Sequence, residues 1–276
     1  MSRVITLTTD FGWSDGFVGA MKGVILNLNP NATIVDLTHD IAPQNVEQGA
    51  FLFAASARYF PADAVHVVVV DPGVGSARRA IAVQAGKTLF VAPDNGVLSF
   101  ALRDWRLEIR SPISSLPSPT RAVHLNKPEY WLPRVSNTFH GRDIFAPVAA
   151  HLSLGVPLEA LGDPIDDWVR LSGHAMPSRA GDQIAGRVVH IDHFGNVVTN
   201  IGAELLAGME RARTVVRIGG RVVRGVKATY ADAAPGELVA LVSSSWHLEV
   251  AMREGNAAQA LGASIGDEIV VALDRD

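Results

Sequence analysis

The spacing of hydrophobic positions changes character along the chain. In the first half, the runs "VITLTTDFG", "ATIVDLTHD", "AVHVVVVDPG" and "TLFVAPDNG" lack polar alternation, and each leads into an acid-bearing loop. Such runs predict strands covered on both faces, as in a parallel sheet with helices on either side. Between them, "GFVGAMKGVILNLNP" and "NVEQGAFLFAASARYFP" carry apolar residues at helical spacing, the second stopping at Pro61. "NTFHGRDIFAPVAAHLSLG" resumes that spacing and sets His140 near a helix N-terminus. Residues 1–165 are therefore expected to form an α/β domain with a largely parallel sheet, its strands delivering Asp10, Asp36, Asp71 and Asp94 to loop starts.

After "PIDDWVRLSGHAMPSRAGD" the pattern shifts to short strands and tight turns. "VVRIGGRVVRGV" reads as two strands around the hairpin pair Gly219-Gly220. "GELVALVSSS" and "GDEIVVAL" add strands, and only "NAAQALGA" looks helical. This predicts a smaller, all-β, barrel-like domain over 182–276, joined through a linker at 166–181. The Ser/Pro-rich "SPISSLPSPT" reads as a solvated connection, and no internal repeat is visible.

Composition narrows the classes of function. A chain of 276 residues, 48% hydrophobic and 19% charged, is long enough to bury a substantial core. A formal net charge of −4 argues against a partner held by its phosphate backbone, so no nucleic acid is expected. The absence of cysteine removes disulfides, thiol nucleophiles and cysteine metal sites. No apolar stretch reaches membrane-spanning length and no long apolar segment follows Met1, so no membrane partner and a cytoplasmic location are expected.

Candidate chemistry gathers where strands end. In open α/β sheets ligands collect outside the carboxyl ends of strands, and "VVVVDPGVGSARR" puts Asp71 and Arg78 there. The stretch fits neither the dinucleotide pattern nor a Walker loop; its bland alternative is a structural ion pair closing a turn. "TTDFGWSDGF" offers Asp10 and Asp15 for a ribose diol, or an Asx turn ahead of a helix. "IDHFGNVVTNI" groups Asp192, Phe194 and Asn196 about a turn, a set suited to an amino group and a nucleobase that a plain hairpin also explains. "HIDH" is the most metal-like cluster, but strand periodicity sends His193 to the face opposite His190 and Asp192, so no metal is expected. "DLTHD" reads as helix capping after a strand, and the absence of G-x-S-x-G weakens a serine hydrolase.

"TTDFG…D", "VVDPGVGS…R", "APDNG", "TFHGRD", "D-H-F-G-N-x-x-T-N" and "GNAA" stand in the order seen in the S-adenosylmethionine hydroxide adenosyltransferases, relatives of the fluorinase and chlorinase enzymes, and the chain resembles that family over nearly its whole length. The resemblance implies hydrolysis of S-adenosylmethionine to adenosine and methionine by water or hydroxide attack at the ribose C5′. It implies no cofactor, since S-adenosylmethionine is the substrate. Asp71, Arg78 and His140 match the family's water-handling set, with His140 the natural base. By the same matching, Asp10 meets the ribose hydroxyls, and Asp15 and Asp192 take the methionine ammonium. Asn196 and the backbone at Asn256 and Ala257 read adenine, Tyr230 or Phe194 packs on its ring, and Ser244 meets the methionine carboxylate.

Two departures from the family's pattern stand out. Gln44 occupies a place usually held by an aromatic against the sugar, and Trp246-His247 replaces a usual Gly-Tyr pair. The resemblance further implies a homotrimer whose sites lie at subunit interfaces, between the first domain of one subunit and the second of its neighbour. Two other readings compete. A halogenase on the same scaffold is disfavoured by the intact Asp71, Arg78 and His140, because halogenases carry a different loop there and Tyr-Ser or Tyr-Gly at His140-Gly141. A non-catalytic nucleoside-binding module finds its handle in Gln44 and Trp246.

Overall fold

A computed structural model describes residues 3–108, 120–172 and 176–274. The Ser/Pro-rich stretch lies, but for Thr120, outside the described residues. The chain divides into two compact units, Met1–Leu171 and Ser172–Asp276.

In the first unit the four apolar runs form β1 (Ile5–Thr9), β2 (Ile34–Thr38), β3 (Val65–Val69) and β5 (Thr88–Pro93), with β4 (Ala80–Ala85) between the last two in sequence. With β6 (Arg121–His124) and β7 (Asp163–Ile165) they make a seven-stranded sheet of order β2-β1-β3-β5-β4-β6-β7. The β1–β2, β1–β3 and β3–β5 pairs are parallel, whereas β4–β5, β4–β6 and β6–β7 are antiparallel. The sheet is thus mixed, which corrects the expectation of a largely parallel one. The reversal starts at Gly86, where φ of 64° lets a two-residue turn fold β4 back on β5, with Ala85 opposite Thr88. Asp36 also departs from expectation, standing inside β2 opposite Leu7 of β1 rather than at a loop start.

Helix α1 (Phe17–Leu28) leads from β1 to β2 on one side, and α2 (Val46–Ala57) leads from β2 to β3 on the other side of β1. Right-handed crossovers then put the two helices on opposite faces. Val18, Met21 and Ile25 of α1 bury against Ile5, Leu7, Val65 and Val67, alongside α4 (Ala146–Ser153). On the far face Phe53 of α2 meets His66 and Phe90 edge-on, and α3 (Ser99–Glu108) packs beside α2. His66 is a core residue: burial drives its pKa down to about 4, and its Nδ1 bonds Thr6 Oγ1 at 2.7 Å. Because the chain leaves β1 in one direction and returns on its other side, a crevice opens beyond the carboxyl ends of β1 and β3, the place where open sheets bind ligands.

The second unit holds β8 (Ser178–Ala180), β9 (Gln183–Ile191), β10 (Val197–Gly202), β11 (Thr214–Ile218), β12 (Arg221–Arg224), β13 (Val226–Lys227), β14 (Leu238–Val242), β15 (His247–Met252) and β16 (Glu268–Leu273). Their order is β12-β11-β16-β9-β10-β15-β14-β13, with β8 on β9, and β12 comes back beside β14 to leave a nearly closed, barrel-like sheet. The Gly219-Gly220 hairpin has both glycines at positive φ, 55° and 71°, as a two-residue turn requires. Ile184, Val188, Val216, Val250, Ile269 and Val271 fill the interior, against which α5 (Ala257–Leu261) seats Ala257 and Leu261. Among the described residues, no helix is long and apolar enough to cross a membrane.

Candidate active site

Asp10 directly follows β1 and Asp71 lies two residues past β3, so the two carboxylates flank the crevice. The loop after Asp71 is a tight coil: the Val74 N–H donates to Asp71 O at 3.2 Å, Ser76 N–H to Gly73 O at 3.1 Å, and Arg78 N–H to Ser76 Oγ at 3.2 Å. That winding returns Arg78 to Asp71 in a two-pronged pair, Nε to Oδ1 at 2.9 Å and Nη2 to Oδ2. Both side chains are about nine-tenths buried, 10% and 6% exposed, and the guanidinium lies 5.4 Å from the Phe145 ring centre. The ion pair of the bland reading does exist, but a third group joins it: Arg78 Nη2 donates to His140 Nδ1 at 2.8 Å. Gly75, at φ 76°, lets the coil lie against the segment before His140, since a Cβ there would stand 2.3 Å from Asn137 O.

His140 is held from its own side by a π-helical turn, Gly141–Phe145, that precedes α4. Asp143 of that turn is fully buried and accepts Ser136 N–H and Oγ–H, each at 2.8 Å, and Arg142 Nε at 2.6 Å. Burial pushes the Asp143 carboxyl up, but the bonds from Arg142 and Ser136 outweigh it and hold the group below its usual range. Phe11, Phe17 and Phe139 meet edge to face, with centres 5.2–5.9 Å apart, and Gly141 leaves them room. Burial first, then the neighbouring Arg78 charge, lowers the His140 pKa. An arginine only donates, so His140 Nδ1 is an acceptor and the ring is neutral.

The Asp10 Oδ2 accepts the Gln44 N–H at 2.7 Å, and burial raises its pKa, with the nearby Asp71 adding to the effect. Asp15 is exposed and does not cap α1, whose N-cap is Gly16 with no side-chain cap bond. "DLTHD" does not cap either: Asn45 caps α2 by accepting Gln48 N–H at 3.0 Å, while His39 is buried between Thr9 Oγ1, 2.8 Å, and Asp36 Oδ1, 3.0 Å. Arg79 turns away from Arg78, donating to Asp94 at 2.8 Å and to Asp167 at 2.7 Å.

In the second unit, five nominated residues meet about one turn. Asp192 Oδ1 accepts the N–H groups of Phe194, 2.9 Å, and Asn196, 2.8 Å, and its Oδ2 accepts Asn196 Nδ2 at 2.9 Å. Gly195 at φ 83° brings in α5: a Cβ would stand 2.2 Å from the Asn256 amide, and Ala258 N–H donates to Gly195 O at 2.9 Å. Asn256 and Ala257 therefore lie against the turn, with Phe194 exposed beside them. Tyr230 donates its hydroxyl to Glu249 Oε1 at 2.8 Å, and the charge of Asp192 acts on both. Burial raises the pKa of Glu249, which is 4% exposed and which sequence reasoning missed; its signal was one carboxylate inside the apolar strand "HLEVAM". Ser244 sits exposed on the turn from β14 to β15. Among the described residues, no group of three or more His, Asp or Glu side chains is placed to hold a metal ion.

The sequence model of the SAM hydroxide adenosyltransferase N-terminal domain matches residues 5–162, and that of the C-terminal domain residues 186–270. The chain belongs to the SAM hydroxide adenosyltransferase family. It is 42% identical over 269 residues to an (R)-S-adenosyl-L-methionine hydrolase of Salinispora tropica, covering 97% of each chain. A fluorinase of Nocardia brasiliensis is more distant, 29% identical over 224 residues, 72% of this chain and 71% of its own. A crystal structure of an uncharacterized conserved protein from Thermotoga maritima superposes with a TM-score of 0.85 at 36% identity, covering 98% of this chain and all of that one. The S-adenosylmethionine hydroxide adenosyltransferase likeness thus spans both units, α/β and barrel alike.

Proposed function

We propose that the protein is an S-adenosyl-L-methionine hydrolase in which Asp71, Arg78 and His140 handle the attacking water. The oxygen–C5′ bond forms as the C5′–sulfur bond breaks, the bonding pair goes to sulfur as the neutral thioether of methionine, and the water loses one proton. The observation that carries the reading is the buried Asp71–Arg78 pair joined to a half-buried His140 beyond the carboxyl end of β3. Free water has a pKa of about 15.7, so hydroxide is scarce unless a fixed cation stabilises it. Arg78 supplies that cation, and its Nη1 donors are not used by Asp71 or His140. His140 is a poorer base than the sequence suggested, because its Nδ1 lone pair already receives Arg78. Asp71, whose oxygens each keep a lone pair beyond the one Arg78 occupies, is the better acceptor for the water's proton. Asp10 takes the ribose diol, and Asp15 with Asp192 the methionine ammonium. Asn196, Asn256, Ala257, Tyr230 and Phe194 form the adenine side, with Ser244 at the methionine carboxylate. The assembly belonging to this reading is a homotrimer.

Incubation with S-adenosylmethionine in ¹⁸O-labelled water containing chloride, followed by chromatography and mass spectrometry, tests it. Adenosine carrying one ¹⁸O at the 5′ oxygen, with unlabelled methionine, is expected. 5′-Chloroadenosine as main product establishes the halogenase, and binding without turnover establishes the nucleoside-binding module.

A further inference from the structure

We infer that Gln44 is a positioning residue whose backbone amide, held in a left-handed conformation, fixes the Asp10 carboxylate for the ribose diol. The inference rests on the assignment of Asp10 to the ribose. Gln44 is one of three non-glycine residues with positive φ among the described residues, at 67°. Glycine adopts such a conformation freely and a residue with a Cβ does not. A strained residue persists only where its surroundings over-determine it, and here they do. Asn45 N–H donates to Ala42 O at 3.0 Å, Ala42 N–H to Gln48 Oε1 at 2.7 Å, and Gln48 N–H to Asn45 Oδ1 at 3.0 Å, so the start of α2 grips the residues on both sides.

The product of that grip is one bond. From the loop after β2, Gln44 N–H donates to Asp10 Oδ2 at 2.7 Å, just past the end of β1. A second tie keeps the two loops in register, Gly12 N–H to His39 O at 2.8 Å, with the Trp13 ring edge-on to His39. Burial, and to a smaller extent Asp71, favour the protonated form of Asp10, and the amides of Gln44 and of Asp10 itself oppose them. The Gln44 amide therefore aims the carboxylate and favours its ionised, accepting form. The Gln44 side chain is exposed, so the work falls to the backbone.

Replacing Gln44 by its α-hydroxy acid counterpart turns the peptide N–H into an ester oxygen, which removes this bond and sets a lone pair against the carboxylate while leaving every side chain in place. Calorimetry then compares adenosine with 2′,3′-dideoxyadenosine, which lacks the diol. The expected result is about tenfold weaker adenosine binding, the scale of a lost bond to a charged group, with dideoxyadenosine affinity unchanged and KM for S-adenosylmethionine raised more than kcat is lowered. Gln44→Gly, the conservative variant, keeps the amide and the backbone shape and retains the preference for adenosine. Full adenosine affinity in the ester variant, or equal loss of both nucleosides, overturns the inference. A parent protein that does not distinguish the nucleosides instead removes Asp10 from the ribose, and the inference falls with that assignment.

Discussion

A guanidinium has no lone pair to offer, so the 2.8 Å contact between Arg78 Nη2 and His140 Nδ1 constrains the chemistry of His140. Protonating the ring would set two cationic donors against each other. With a pKa below the usual value near 6.5, His140 stays neutral at pH 7, and turnover is expected to fall as pH drops through that lowered value. Arg78→Ala and His140→Ala should each cut kcat by about two to four powers of ten, the range for a lost electrostatic or proton-handling group. His140→Asn separates positioning from base catalysis, because its amide oxygen can accept from Arg78 but takes no proton near neutral pH. It should recover much of the activity and erase the acid limb of the pH–rate profile; an Asn variant as inactive as Ala makes His140 the base. Asp71 and Arg78 were legible in the sequence because opposite charges beside a buried strand end are conspicuous. The state of His140 was not, since it depends on a contact spanning 62 residues. Glu249 escaped notice because one carboxylate in a strand reads as solvent-facing until neighbouring strands cover it.

Among the elements, legibility followed how directly a side-chain pattern reports its surroundings. The runs that became β1, β2, β3 and β5 announced strands because β-branched residues fill a surface buried on both faces. "AIAVQA", which forms β4, is half alanine, a residue that favours helices and is depleted in strands, so its antiparallel insertion leaves no strand signal and the pattern alone predicts a largely parallel sheet. The turn from β14 to β15 gives a test at this scale. Trp246 occupies it at φ 63° and is 62% exposed. At ordinary positions Ala is more stable than Gly, but a left-handed backbone reverses the order. Trp246→Gly is expected to be more stable than Trp246→Ala by about 1 kcal/mol in urea unfolding. The opposite order means that the turn is not held left-handed in solution.

At the scale of the whole molecule, the nominated residues divide as the chain does. Asp10, Asp15, Asp71, Arg78 and His140 belong to the unit ending at Leu171, and Asp192, Phe194, Asn196, Tyr230, Ser244, Asn256 and Ala257 to the unit that follows. Neither unit carries both the proposed water-handling set and the proposed adenine contacts, so the proposed site calls for one of each. In a closed ring, every subunit can lend one half to each neighbour and all sites are equivalent. The proposed homotrimer with sites at subunit interfaces makes a quantitative prediction. Arg78→Ala protein and Asn196→Ala protein, each inactive alone, are mixed in equal amounts under conditions that exchange subunits. A site shared between neighbours then joins an intact Arg78 to an intact Asn196 in one case in four, so about a quarter of the parent activity should return. A site drawn from a single chain always contains one of the two lesions and regains nothing. A mixture that stays inactive after exchange is demonstrated by mass spectrometry, or a fully active monomer in light scattering, overturns the shared site.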